Sequence, residues 1–249
     1  MFEQQHVKYA DIFNLRGKQY HEAMKLLPNA RKKELTTILD QIKLQGGMVL
    51  VDIPSGGNYL KQYLPDNIKI LPLETSEIFA KLGNSPLCDW SKLPLEDQSV
   101  DAILCCAAIH HVADEDRKKF RQEAVRVLKK GGKLVIADVE QGTPMDPFLN
   151  EFVHNNNSLG HVGMFIDTNF AQDFAQGTLN IVKNQYQNFT WEFSSNLEES
   201  MVYMKLLFGI DKASIKEVAK YMAAHLNLTK NNSGNYTMDW GLRYVTFEK

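Results

Sequence analysis

The hydrophobic pattern between Met48 and Val139 is a cadence of short apolar runs separated by stretches of helical periodicity. The runs are Met48–Ile53, Ile68–Leu73, Val100–Cys106 ("VDAILCC") and Lys133–Val139 ("KLVIADV"). They are apolar at most positions instead of alternating, which predicts strands buried on both faces, as in a parallel sheet covered by helices. Asp116–Lys129 predicts a helix with Phe120, Ala124, Val127 and Leu128 on one face. The "KKGG" at 129–132 predicts its closure by cations and glycines. Residues 1–45 predict two further helices. In the first, Tyr20, Ala23, Met24 and Leu27 fall on one stripe; in the second, Leu35, Ile38, Leu39 and Ile42 do, and Gly46-Gly47 stops it. The order of elements predicts an α/β domain with right-handed crossovers.

Beyond Gln141 the texture changes. "QGTPMDP" predicts a loop and Phe148–Asn157 a helix carrying a polar "HNNN". Gln185–Phe193 predicts a strand, Leu197–Phe208 and Ala213–Leu226 two helices, and Tyr236–Glu248 a last strand. The two late helices lie between strands, so they read as an insertion covering the binding edge of the sheet. The organisation expected is an N-terminal helical lid at 1–45, an α/β core at 46–195, a helical insertion at 196–230 and a last core strand at 231–249.

Bulk properties narrow the function. The chain has 249 residues, 44% hydrophobic, enough to bury a core without staples. Its 28 Lys and Arg against 30 Asp and Glu give a net charge of −2, which argues against a nucleic-acid surface. The cluster Arg31-Lys32-Lys33 reads as a solvated helix face. Three cysteines, two of them adjacent, predict reduced thiols and a cytoplasmic location, and no metal-ligand spacing appears. No signal-peptide core and no run of about 20 apolar residues is present, so no membrane span is expected.

The candidate chemistry starts at "VLVDIPSGGNYL", Val49–Leu60, where an apolar strand ends in Asp52 and runs into Pro54, Ser55, Gly56, Gly57 and Asn58. In open α/β sheets ligands sit at the carboxyl ends of strands, and a turn of small residues lets them approach the backbone. A dinucleotide site wants G-x-G-x-x-G with an acid about 20 residues later. Here the acid precedes the turn, where it repels a pyrophosphate and suits a ligand with a cationic end. That order argues against a nicotinamide enzyme on the same fold.

"LVDIPSGGNYL" resembles the glycine-rich first motif of class I S-adenosylmethionine (SAM)-dependent methyltransferases, with Pro54 and Asn58 at positions usually held by glycine. Three more blocks follow in order: "ILPLETS", "PLCDWSKLPLEDQSVDAILCCAAIHHV" and "EAVRVLKKGGKLVIADV". The nearest flavour is the small-molecule branch of ubiquinone- and menaquinone-type enzymes. The resemblance implies a Rossmann-like, seven-stranded, mostly parallel sheet with helices on both faces and an antiparallel last strand. It implies methyl transfer from SAM, leaving S-adenosyl-L-homocysteine, to a small-molecule acceptor.

The resemblance also implies site residues. Asp52, Ser55, Gly56 and Gly57 form the cofactor turn, and Glu74 takes both ribose hydroxyls. Asp89 holds the adenine amino group with Cys88 and Trp90 beside the ring, and Cys106 and Ala107 touch the methionine end. Asp101 matches a family position and reads as structural. In the N-terminal segment, Tyr20 is a candidate to stack near the sulfonium and Arg16 to pair with the methionine carboxylate. The candidate bases are His111 and His161, with His154 behind them. A different class of function remains open, a non-catalytic subunit of this fold that binds a partner protein through an exposed apolar patch.

Overall fold

Successive residues of the central strands point to opposite faces of the sheet, and both faces are covered. The structure, a computed structural model, describes residues 8–249; the first seven residues of the predicted N-terminal segment lie outside the described ones. Its helices are α1 (Tyr9–Leu26), α2 (Lys32–Leu39), α3 (Glu77–Gly83), α4 (Asp114–Val127), α5 (Phe170–Ala175), α6 (Leu197–Phe208) and α7 (Ile215–His225). Its strands are β1 (Val49–Asp52), β2 (Lys69–Pro72), β3 (Val100–Cys106), β4 (Leu128–Asp138), β5 (Asn180–Glu192), β6 (Thr229–Lys230) and β7 (Tyr236–Glu248).

One apolar layer joins Leu50, Ala102, Leu104 and Val135 to Ala23 and Met24 of α1, Ile38 of α2 and Met201 of α6. The other joins Val51, Ile103, Cys105 and Ile136 to Phe79 of α3, Phe120 of α4 and Phe174 of α5. Each fully buried aliphatic side chain contributes roughly 1.5–3 kcal/mol. This two-sided burial is why the strands read as continuous apolar runs.

The strand order is β2-β1-β3-β4-β7-β5, with the short β6 paired to β7. The pairs β1–β2, β1–β3 and β3–β4 are parallel, and all three antiparallel pairings involve β7. The chain leaves β1 toward β2 and returns to β3 on β1's other side. The carboxyl ends of β1 and β3 therefore flank the switch point where such sheets bind ligands. Asp52 pairs with Leu104 there, and Cys106 ends β3.

Several elements differ from expectation. The helix before β4 stops at Val127, not Lys129, because Leu128 pairs with Val100 and is fully buried. Lys129 consequently leaves the helix end and pairs with Asp101 at 2.7 Å, while Asp101 also accepts the Val49 N–H at 2.8 Å. That ties β1, β3 and β4 together and gives Asp101 the structural role expected of it. α2 ends at Leu39, and Ile42 reaches the core from the following turn. After Asn58 comes a 3-10 turn, Tyr59–Tyr63. The predicted helix at 148–157 is a run over residues 145–156 whose centre, Phe148–Val153, is π-helical. α3 and α5 were not expected. α3 is short but capped at both ends: the Ser76 side chain accepts the Phe79 N–H, and Asn84 closes it at φ 49°. Among the described residues no helix is long and apolar enough to cross a membrane.

Candidate active site

A cavity of about 990 Å³, counting its open mouth, lies at the carboxyl ends of β1 and β3. Its floor is Asp52, Pro54, Ser55 and Gly56 from the glycine turn and Cys106 and Ala107 from the end of β3. Gly56 has φ 56°, Asn58 has φ 61°, and Ala107, a residue with a Cβ, is held at φ 50°. A left-handed alanine costs on the order of 1 kcal/mol and persists only where the surroundings enforce it; here its N–H donates to Ala137 O at 2.7 Å. Asn58 adopts the left-handed conformation that asparagine tolerates best after glycine.

α1 roofs the cavity. Tyr9, Phe13, Arg16 and Tyr20 fall on the face of α1 that lines it. Arg16 is 7% exposed, donates to Leu207 O at 2.8 Å and lies over the Phe13 ring. Among the described residues it has no carboxylate partner, and burial lowers its pKa to about 10. Tyr20 accepts a hydrogen bond from Arg31 and does not stand alone in the cavity.

Two carboxyls meet beside the turn. Asp52 is 5% exposed, and burial, reinforced by the Glu74 charge, pushes its pKa from 3.8 to about 8. Glu74 is fully buried; burial raises its pKa to about 7, although hydrogen bonds from the Ser76, Thr75 and Gly56 N–H groups and from Tyr9 pull the other way. Those backbone bonds are 2.9, 2.7 and 2.7 Å long. A carboxylate has about four acceptor positions, so Tyr9 takes the position a ribose hydroxyl needs.

The adenine-end candidates are not brought to the cavity wall. Trp90 is buried and packs edge-on against Phe120, with ring centroids 5.0 Å apart. Asp89 accepts from the Ser91 N–H at 2.7 Å and from the Ser91 hydroxyl. Cys88 donates its backbone N–H to Glu74 O at 2.7 Å, and Gly57 lies outside the wall with its α-carbon facing the Tyr59 ring.

The far wall is aromatic. Trp191 and Trp240 face each other at 4.4 Å, and Phe208 stacks on Trp191 at 6.1 Å. Beneath them is a buried ion pair that the sequence reading had missed. Arg31 is 7% exposed, not solvated, and pairs with the fully buried Glu34, which also accepts the Trp191 indole N–H at 2.9 Å. Lys32 and Lys33 are exposed as expected.

Three histidines close the remaining side. His111 and His161, the candidate bases, have ring centroids 5.1 Å apart, and His110, which was not singled out, lies between 4.0 and 5.6 Å from them. His110 Nδ1 donates to Asp138 Oδ1 at 2.7 Å, and its backbone N–H donates to the same carboxylate at 3.1 Å. Burial first, then the charges of His110, Arg16 and His154, hold the His161 pKa well below its usual value, so its imidazole is neutral near pH 7. His154 does not line the cavity; its Nδ1 lies 2.8 Å from the His161 carbonyl oxygen and 3.1 Å from the His161 nitrogen and so fixes the loop.

The fold, once traced, is the Rossmann-like fold of SAM-dependent methyltransferases. Of solved structures, the YcgJ protein from Bacillus subtilis superposes with a TM-score of 0.58 at 16% identity, covering 88% of this chain and 98% of that one. Residues 56–136 match the family model of the methyltransferase domain, and the cofactor this domain implies is SAM. An uncharacterized methyltransferase from Geobacillus sp. strain WCH70 is 31% identical over 110 residues, 41% of this chain and 52% of that protein. Ribosomal RNA-processing protein 8 from Rattus norvegicus is 43% identical over 68 residues, 27% of this chain and 14% of that protein. The chain spans about half the length of the first of these curated relatives.

The residues present fit that cofactor best at its amino-acid end. A buried carboxylic acid and a buried guanidinium without a carboxylate partner line one cavity, matching a ligand that carries both signs of charge.

Proposed function

We propose that this chain is a SAM-dependent methyltransferase of the small-molecule branch. The observation that carries the reading is that Asp52 and Arg16 line one cavity whose far wall is Trp191, Trp240 and Phe208. Asp52 attracts the cationic end of the cofactor and Arg16 its carboxylate. Ser55, Gly56, Cys106 and Ala107 supply the floor. The cofactor, when bound, supplies an activated methyl group and leaves as S-adenosyl-L-homocysteine.

The protein's work is then to hold an acceptor in line and to exclude water. α1 and the aromatic wall do the excluding. His161, neutral at pH 7, and His111 are the assigned bases, and His110 joins them because Asp138 holds its Nδ1 proton and leaves Nε2 to accept another. The helices at 196–230 act as the acceptor cap, supported by Leu207 and Phe208 in the wall. Residues 1–45 act as the lid, and the core runs over 46–195 with its last strand at 231–249.

A pocket with an aromatic wall suits a small, planar or apolar acceptor of the kind the ubiquinone- and menaquinone-type enzymes use. It favours an enzyme over a subunit that binds a partner through an exposed apolar patch. Among the described residues the large exposed apolar side chains are Leu15, Leu26, Leu87, Leu159 and the adjacent Ile181 and Val182. Net charge −2 disfavours the RNA acceptor that the rat relative's name suggests. Calorimetric titration with SAM, and separately with NADH, is the test. Micromolar SAM binding that weakens at least tenfold in Asp52→Asn supports the reading; no SAM binding by folded protein removes it.

A further inference from the structure

His110, His111 and His161 are all buried, and one imidazole nitrogen from each lies within 4.8 Å of the others. Two of the rings have their tautomer set from outside. Asp138 Oδ1 is an acceptor, so His110 Nδ1 carries the hydrogen of their 2.7 Å bond. Asn150 Oδ1 already accepts the Gly163 N–H at 2.8 Å, which identifies it as the amide oxygen, so His161 Nδ1 is the donor in their 3.3 Å contact. In its neutral form each of these rings therefore presents Nε2 as a lone pair. Among the described residues, neither Nε2 receives a hydrogen bond. A buried carboxylate or amide oxygen behind an imidazole is the arrangement that orients metal-ligating histidines.

We propose that His110, His111 and His161 form a binding site for a divalent transition-metal ion of the zinc class. The inference rests on the methyltransferase reading only for what the ion is for; with the ion bound, these three nitrogens are ligands and the general-base role assigned to them above lapses. Three neutral nitrogen donors without a thiolate or carboxylate in the first sphere suit zinc, cobalt or nickel and leave a fourth position toward the cavity. In a tetrahedral site with metal–nitrogen distances near 2.0–2.1 Å, the nitrogens stand about 3.4 Å apart. Binding therefore requires the three rings to draw together from the present spacing of up to 4.8 Å.

The loop that carries His161 is braced for the task. The His154 ring ties the His161 backbone, and Asn150, on the π-helical turn, holds Gly163 through both of its amide atoms, donating to Gly163 O at 3.1 Å. Arg16 acts on His161 as a neighbouring positive charge and opposes a second cation. The buried Asp138 carboxylate offsets it, as does an anionic fourth ligand. The substrate class follows: an acceptor whose oxygen, sulfur or nitrogen ligates the ion, releasing its proton to solvent on doing so.

The test uses full-length, tag-free protein stripped with a chelator and titrated with Co²⁺, then with Zn²⁺ in competition. The expected result is tetrahedral Co²⁺ visible bands saturating at one equivalent and bleached by Zn²⁺. His110→Ala and His161→Ala each weaken binding at least tenfold while keeping a cooperative melt, and Asp138→Asn weakens it about 10- to 100-fold. Should a variant fail to fold, Asn150→Ala, which removes the oxygen behind His161 together with both bonds to Gly163 and leaves all three imidazoles in place, is expected to lower Co²⁺ affinity severalfold. Absence of stoichiometric bands, or bands undiminished in the folded histidine variants, overturns the site. SAM titration of the same samples separates the two readings: SAM binding without Co²⁺ binding discards the metal site alone, and Co²⁺ binding without SAM binding discards the methyltransferase reading alone.

Discussion

Glu74 Oε2 accepts the Gly56 N–H at 2.7 Å, so the carboxylate expected at the ribose closes the glycine turn. Asp52 lies beside it, and burial raises both acids, Asp52 to about 8 with the Glu74 charge adding to the rise and Glu74 to about 7. Both folded-state values exceed the unfolded ones, so the protonated forms fit the fold better. The stability they contribute is complete below about pH 4 and is lost as pH rises through about 7 and 8. The asparagine of Asp52→Asn cannot ionise, so the difference between variant and parent isolates this group. At about pH 8.5 Asp52→Asn should melt a few degrees higher than the parent, and below about pH 4 the two should coincide. Melts across that range decide it; a difference independent of pH shows that Asp52 is not the titrating group.

Ligand binding should run the other way. A ligand with a cationic end favours the ionised Asp52, so SAM binding releases a proton wherever Asp52 is protonated beforehand. Affinity should therefore rise about tenfold or more between roughly pH 6 and 8.5. Calorimetry at pH 7 in buffers of different ionisation enthalpy reads the released proton directly. Zero net proton release contradicts contact between Asp52 and the cation.

Arg16 offers a sharper probe of ligand orientation. Its guanidinium is buried, stacked on Phe13 and bonded to one backbone carbonyl. Arg16→Met keeps the stem's packing and deletes the charge. A charge-assisted hydrogen bond is worth roughly 1.5–3 kcal/mol, so SAM affinity should fall about 10- to 150-fold. Decarboxylated SAM lacks the group Arg16 is assigned to hold, and its affinity should barely change. Equal losses for both ligands place Arg16 elsewhere in the mechanism.

The glycine turn is also clamped from behind. A Cβ on Gly83 would stand 2.9 Å from Gly56 O and 3.1 Å from Asn58 N, backbone atoms that cannot rotate away. Gly83→Ala must push α3 off the turn. We expect a loss of about 1–3 kcal/mol in denaturant unfolding and a weaker SAM affinity, although Gly83 does not line the cavity. Unchanged stability shows that the turn yields freely.

What the sequence disclosed was whatever depends on local pattern. Val100–Cys106 matched residue for residue because both faces of β3 are buried and its apolar run has clear ends. Tyr236–Glu248 and Leu197–Phe208 matched for similar reasons. α3 was missed because its seven residues carry too little periodicity, although Ser76 and Asn84 were visible caps. Side-chain direction was the harder matter. Trp90 and Asp89 stand at the expected place in the chain, but which way Trp90 turns depends on Phe120 of α4, some 30 residues on. Arg31 sits in a run of cations and still turns inward, because Glu34 one helical turn later and Trp191 on β5 receive it. His110 was inseparable from His111 until β4 brought Asp138 under one of them.

The Arg31–Glu34 pair supports the aromatic wall and can be tested as a unit. Glu34 takes Arg31 through two nitrogens and the Trp191 indole N–H at 2.9 Å. Removing one partner strands a buried charge, so Glu34→Leu alone and Arg31→Met alone should each cost about 3–5 kcal/mol. The double substitution removes both charges and leaves only neutral groups, the Trp191 indole N–H and the Tyr20 hydroxyl, without these partners, so its cost should be far below the sum of the two. A double-mutant cycle by urea unfolding measures the coupling. If the losses add, the pair is solvated in solution and does not brace Trp191. If they do not add, the wall's geometry depends on the pair, and acceptor binding in the double variant should weaken while SAM affinity holds.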